Sequence, residues 1–247
     1  MRPVSPYCGR EGTRNLVDAA KRAGVARIIA QSVAWAYAPG DFPADESTPL
    51  DVTAPLPRAN LISAISALEE TVAELEEHVI LRYGAFYGPG TWYTPGGPGE
   101  QWLRQEGGTP SVLGALTADD AVSSFVHVED AAGAAAAALA WPSGAVNIVD
   151  DEPAPARDWL LVLADAFGAP GPPVSAGRAG WQRGASNTRA RALGWTPLYP
   201  SWRTGFTAMK TALSGLSRRR PVLARLLALA RLRIADEPPG VRQAAGR

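Results

Sequence analysis

The chain predicts an α/β fold, a doubly wound parallel sheet followed by a small mixed lobe, on three observations. A helical pattern at 11–24 runs straight into a strand whose centre, Ile28 to Ala30, is continuously apolar. A second helix and strand repeat that order at 59–77 and 78–84. Both strands lack the alternation of a half-exposed sheet, as expected where helices cover both faces.

The elements follow from local chemistry. In EGTRNLVDAAKRAG, Leu16, Val17, Ala20 and Ala23 share one face, and Gly24 stands where a helix stops. Residues 38–58, rich in Pro and Asp, read as a surface loop. In ANLISAISALEETVAELEE, Ile62, Ile65, Leu68, Val72 and Leu75 point inward. The run YGAFYGPGTWYTPGGPG is too rich in Gly for a regular element, and it directly follows a strand, where open parallel sheets place their ligands. SSFVHVEDAAGAAAAALAW reads as a short strand, an Asp130 N-cap and an Ala-rich helix. GAVNIVDDEP supplies another strand, PARDWLLVLADAFGA a helix ended by Gly168, and 188–195 and 202–213 two short helices. The expected organisation is a sheet domain over 9–150 that includes the start of the lobe, a C-terminal lobe over 151–216, and a tail over 217–247. Leu223, Leu226, Leu227, Leu229 and Leu232, interleaved with Arg, make that tail a basic amphipathic helix leading into a disordered end.

Composition removes several function classes. The 24 Lys+Arg balance 24 Asp+Glu, so the chain as a whole has no electrostatic footprint for nucleic acid or anionic lipid. No apolar run approaches the roughly 20 residues of a membrane span. The single Cys8 excludes an intrachain disulfide, and with only His78 and His127 beside it no zinc site is expected. The N-terminus has no signal-peptide pattern, so the expected location is cytoplasmic.

Single motifs are weak. Gly9 and Gly12 in GREGT do not complete a dinucleotide fingerprint, and a turn with a helix N-cap is expected there. The paired acids Glu69–Glu70, Asp119–Asp120 and Asp150–Asp151 read as solvated. His127, without an identifiable partner, reads as a half-buried structural histidine. Ser32 ends the first strand, where its hydroxyl either contacts a ligand or bonds the backbone. Trp92, Tyr93 and Trp102 either line a pocket or pack.

The ordered set EGTRNLVDAAKRAGVARIIAQSVAWAY, LRYGAFYGPGT, SFVHVEDAA and NTRARALGWTP, over about 9–206, resembles the NAD-dependent epimerase/dehydratase family, the extended short-chain dehydrogenase/reductases. The resemblance implies a Rossmann-like domain binding NAD or NADP and a small lobe binding a small-molecule substrate, a nucleotide sugar being the leading class. It implies an oxidoreductase or sugar-nucleotide epimerase by descent, with a second copy of the chain as a candidate partner. It places Gln31, Ser32, Tyr83, Gly84, Ala85 and Phe86 against the cofactor, Ser32 and Tyr83 as the candidate catalytic groups, and Trp92, Arg178 and Arg183 toward substrate.

The chain departs from the family pattern in two ways. The strand–GxxGxxG–helix start is absent, so the sheet is expected to lack its first βα units, roughly three of them. Aligned on Glu69, the positions that resemble the catalytic Tyr-x-x-x-Lys hold Leu61 and Ile65, or Ile62 and Ser66 one register on; the one nearest the catalytic Ser/Thr holds Val33, and the substrate-contacting Asn is Ala85. Two readings follow: an atypical NAD(P)-binding reductase or epimerase without Tyr–Lys catalysis, or a non-catalytic ligand-binding regulator on the same fold.

Overall fold

The computed structural model describes residues 6–104, 117–209 and 211, with side chains from residue 11. The tail expected over 217–247 lies outside the described residues.

Helix α1 (Pro6–Arg22) leads into β1 (Arg27–Val33), and α2 (Arg58–Val72) into β2 (Glu77–Tyr83). Gly9 and Gly12, expected in a turn, lie inside α1, which starts at Pro6. Proline suits a first helical position because the N–H it lacks would have no partner there. Strand β3 (Ala85–Tyr87), helix α3 (Pro98–Leu103), β4 (Val122–Ser123), β5 (Phe125–His127) and α4 (Val128–Ala137) follow. Then come β6 (Gly144–Ile148), β7 (Ala154–Pro155), α5 (Ala156–Phe167), α6 (Thr188–Ala192) and a helical segment at 202–209. Gly168 ends α5 at φ 60°, a left-handed cap that favours glycine.

The main sheet runs β1-β2-β6, all parallel, with β1 at an edge. One face carries α2, with α1 packed on α2. The other carries a core of Val79, Leu81, Tyr83, Val146 and Ile148 against Ala131, Ala134 and Ala138. After Gly84 the chain leaves β2 and pairs β3 with β5, also parallel. A β-carbon at Gly84 would sit 2.5 Å from the Ser124 carbonyl oxygen, so glycine permits this switch of partners.

The C-terminal lobe interleaves with the sheet domain. Its aromatic core takes Tyr87, Leu103 and Phe125 as well as Trp159, Trp202 and Phe206, and β4 pairs antiparallel with β7 across residue 150. The 34–57 connection is more than a surface loop. Tyr37, Ala44 and Asp51 are buried, and Ala44 bridges Ala185. Among the described residues no helix is long and apolar enough to cross a membrane.

Candidate functional site

A polar row crosses the sheet near its carboxyl end. Ser32 on β1, Arg82 on β2 and Asn147 on β6 are direct register partners, and all three are buried. Glu69 of α2 closes the row from above. It accepts from Ser32 Oγ at 2.6 Å and takes both Arg82 Nε at 2.9 Å and Nη2 at 2.6 Å. Arg82 Nη1 also donates to the Tyr37 hydroxyl at 3.0 Å, and that hydroxyl donates to Asn147 Oδ1 at 2.6 Å. Asn147 Nδ2 donates to the carbonyls of Ala44 and Ser186. Burial is the largest single influence and works against the Arg82 cation, but the hydrogen bonds and charges of Glu69 and Tyr37 together outweigh it and hold its pKa above the usual value. Burial pushes the Tyr37 phenol up to about 12.

Glu69 was expected in solvent and is instead the centre of this network. Apolar periodicity cannot flag it, because the test counts only apolar residues on the inner face. Arg82 could have: a cation in the middle of a strand covered on both faces needs a counter-charge.

Ser32 therefore has its proton committed to Glu69. Val33, one residue on, points to the opposite face, as alternation along a strand requires, and is half-buried. Gln31 is exposed. Tyr83 faces the α4 side, where its hydroxyl donates to the Ala131 carbonyl at 3.0 Å, and burial pushes its pKa up to about 12. Gly84 is buried and donates to the Ile148 carbonyl. Ala85 and Phe86 are half-buried, with the Phe86 ring 5.2 Å from that of Tyr83. Leu61 is 46% exposed, and Ile65, one helical turn on, is half-buried. Gln31, Val33, Ala85 and Phe86 thus remain accessible at the strand ends, while Ser32 and Tyr83 turn away to either side.

Arg178 and Arg183, expected to grip an anion, spend their donors on main-chain carbonyls. Arg178 Nη2 donates to Gly40 at 3.0 Å, and Nη1 reaches Gly180 and Gln182. Arg183 Nε donates to Phe42, and Nη1 to Ala38 at 3.4 Å. A planar five-donor fork suits such carbonyl-lined seams between loops. Trp92 is 37% exposed and meets Trp102 edge-on.

Two further buried carboxylates were missed. Asp130, expected to cap α4, lies in its first turn, because the helix starts directly from β5 and His127 is the cap, its Nδ1 accepting from the Glu129 amide. Asp130 accepts from the Leu198 and Tyr199 amides. Asp150 accepts from the Trp202 amide at 2.7 Å. Burial pushes its carboxyl up to about 8 despite the hydrogen bonds it receives. Together they tie 198–202 to α4 and β6. His127 stacks on Tyr199 with ring centroids 3.7 Å apart, and burial lowers its pKa.

Comparison with known proteins gives a consistent result. Residues 7–149 match the model of the NAD dependent epimerase/dehydratase family. A Streptomyces protein, 3-diazoavenalumate denitrifying reductase, is 44% identical, the match covering 79% of this chain and 68% of the relative. UDP-glucose 4-epimerase of Thermus thermophilus, solved in complex with NAD, superposes with a TM-score of 0.60 at 25% identity, covering 83% of this chain and 69% of that one. The Bordetella bronchiseptica enzyme WbmG, solved with NAD and UDP, superposes with a TM-score of 0.61 at 24% identity, over 81% of this chain and 64% of that one. The last likeness shows the fold alone.

Val33, Ala85 and Phe86 are apolar and half-exposed and Gln31 is an exposed amide, side chains compatible in kind with the nicotinamide end of a dinucleotide. Neither α2, which follows β1, nor α4, which follows β5 directly, is entered through a Gly-rich turn, the arrangement that seats a diphosphate.

Proposed function

Because the chain belongs to the NAD-dependent epimerase/dehydratase family, we propose that it is a reductase whose hydride acceptor requires no proton from the protein, with arenediazonium ions as its substrate class. The observation that carries this reading is the aliphatic character of the family's proton-handling positions. By resemblance Val33, Leu61 and Ile65 fall at them, and the hydroxyl that precedes Val33 in the chain, that of Ser32, donates to Glu69 at 2.6 Å.

When bound, NADH or NADPH supplies a hydride. Reducing a carbonyl also creates an alkoxide that must be protonated, and epimerising a sugar carbon through a ketone needs a base for its hydroxyl. Aliphatic side chains do neither. Replacing dinitrogen on an aryl carbon by hydride needs no such group. The new C–H bond takes the hydride pair, the C–N bond breaks with its pair leaving on dinitrogen, and the cation's charge is cancelled. The name of the 44% identical relative, which couples a diazo substrate with a denitrifying reduction, supports the same class.

Under this reading the aliphatic residues at these positions offer the substrate no proton donor or general base. Phe86 and Gln31 hold the nicotinamide end, and the buried Glu69–Arg82 pair holds the strand ends in place. A nucleotide sugar, the substrate class in the name of the Thermus thermophilus UDP-glucose 4-epimerase, is the competing substrate.

The test is to supply the purified chain with 4-carboxybenzenediazonium and a nicotinamide cofactor deuterated at C4. Dinitrogen release with deuterium carried into benzoate, above the enzyme-free rate, is expected. Interconversion of UDP-glucose and UDP-galactose, or no rate above the control, overturns the proposal.

A further inference from the structure

Trp92 stands apart from the other aromatic side chains of its loop. Its neighbour Tyr93 bridges Tyr87 and sinks into the core, its ring 5.6 Å from Phe125 and 5.9 Å from Trp159. Trp92 stays outside, although burying an indole is among the largest apolar gains a single side chain offers.

Its position is nevertheless built. The Trp92 carbonyl accepts from the Gly99 amide at 2.9 Å. A β-carbon at Gly99 would come 2.8 Å from that oxygen and 3.1 Å from the indole Cδ1, so only glycine lets α3 lie this close. Trp102 meets the indole edge-on, with centroids 6.4 Å apart and planes at 88°. Glu100 then ties α3 in place: it accepts from the Gly96 amide at 2.8 Å and pairs with Arg104, which donates to the Phe167 carbonyl. The indole is braced on one side and open on another, so a ligand stacking on it has little side-chain freedom left to remove. The loop leaves β3 at Tyr87, placing Trp92 beyond the carboxyl end of a parallel strand, the side where such sheets take ligands.

We propose that Trp92, braced by Gly99 and Trp102, is the stacking platform for the aryl ring of a flat aromatic cation. This rests on the reductase reading, which makes the substrate such a cation. Indole is the strongest of the aromatic side chains in attracting positive charge to its face, and a diazonium spreads its charge into the ring that would stack. The neighbouring carboxylate of Glu100 is already paired with Arg104, so the platform selects by shape and ring charge rather than by ion pairing.

The test uses benzamidinium, a flat unreactive cation, and cyclohexanecarboxamidinium, its non-aromatic counterpart, each titrated calorimetrically into the full chain. Benzamidinium should bind, lose about tenfold in affinity in Trp92→Ala, keep most of it in Trp92→Phe, and weaken in Gly99→Ala, where the ring stays but is displaced. The non-aromatic cation should not distinguish the four proteins. No benzamidinium binding to the wild type, or equal affinity in wild type and a folded Trp92→Ala, overturns the platform. Trp92-dependent binding without dinitrogen release from the diazonium upholds the platform and sinks the reductase reading. Dinitrogen release at equal kcat/KM in wild type and Trp92→Ala does the reverse.

Discussion

Glu69 and Arg82 form a two-point ion pair, Oε1 to Nε at 2.9 Å and Oε2 to Nη2 at 2.6 Å, between α2 and the central strand of the sheet. Both side chains are only 9% exposed. The pair gives Ser32 an acceptor, Tyr37 a donor and, through Tyr37, Asn147 its partner, so one ionic contact organises the strand ends and the loop lying over them.

Glu69→Ala should therefore be among the most damaging single substitutions. It leaves a guanidinium in the interior without its counter-charge, a loss of about 3–5 kcal/mol. Urea unfolding should show a lower midpoint at unchanged slope. Pairing it with Arg82→Met should recover part of the loss. A single variant as stable as wild type contradicts the network.

Asp150 predicts a pH dependence of stability. Its carboxyl is pushed up to about 8 in the fold, against roughly 4 in an unfolded chain. Between those values the folded state keeps a proton that the unfolded state has released, so this group's contribution is present at low pH and is lost as pH rises toward 8. The melting temperature of the wild type should fall across this window relative to Asp150→Asn, which cannot titrate. Parallel curves for the two proteins would show that Asp150 is ionised throughout.

Arg183 separates a structural from a ligand-binding role. Its contacts to the Phe42 and Ala38 carbonyls predict that Arg183→Ala loosens residues 38–44. Amide exchange there should quicken, and stability should drop by about 1–3 kcal/mol. Gly40→Ala should act similarly, since its β-carbon would overlap the Arg183 guanidinium and displace it. Unchanged exchange with weaker binding of uridine monophosphate would instead assign Arg183 to an anionic substrate.

Tyr83→Phe removes the hydrogen bond to the Ala131 carbonyl. The expected cost is about 0.5–1.5 kcal/mol of stability. Because burial holds the phenol at about 12, the pH–rate profile between 6 and 9 should not move. Loss of a titrating limb in that range would make Tyr83 the proton carrier.

Much of the fold was legible because it is written in local chemistry. The inward face of α2 followed from Ile62 and Val72, and the end of α5 from Gly168. The candidate site was only half legible. Aliphatic residues at 33, 61 and 65 can be read directly, and they carry the proposed chemistry. The fates of Ser32, Tyr83, Arg178 and Arg183 could not be read, since each depends on the group opposite it. Ser32 meets a carboxylate 37 positions away, and Arg183 a carbonyl 141 positions away.

The sequence by itself determined the order of helices and strands, the Gly-rich exit from the second strand, and the aliphatic identity of residues 33, 61 and 65. These depend on residues close in the chain or on the identity of single side chains. Only the tertiary structure decided which polar groups are spent internally. Burying a charge or hydroxyl is tolerated only where a partner is brought within hydrogen-bond range. For Glu69, Asp130 and Asp150 those partners come from other elements, so the packing of the whole chain made them structural pins and left Trp92 in the open.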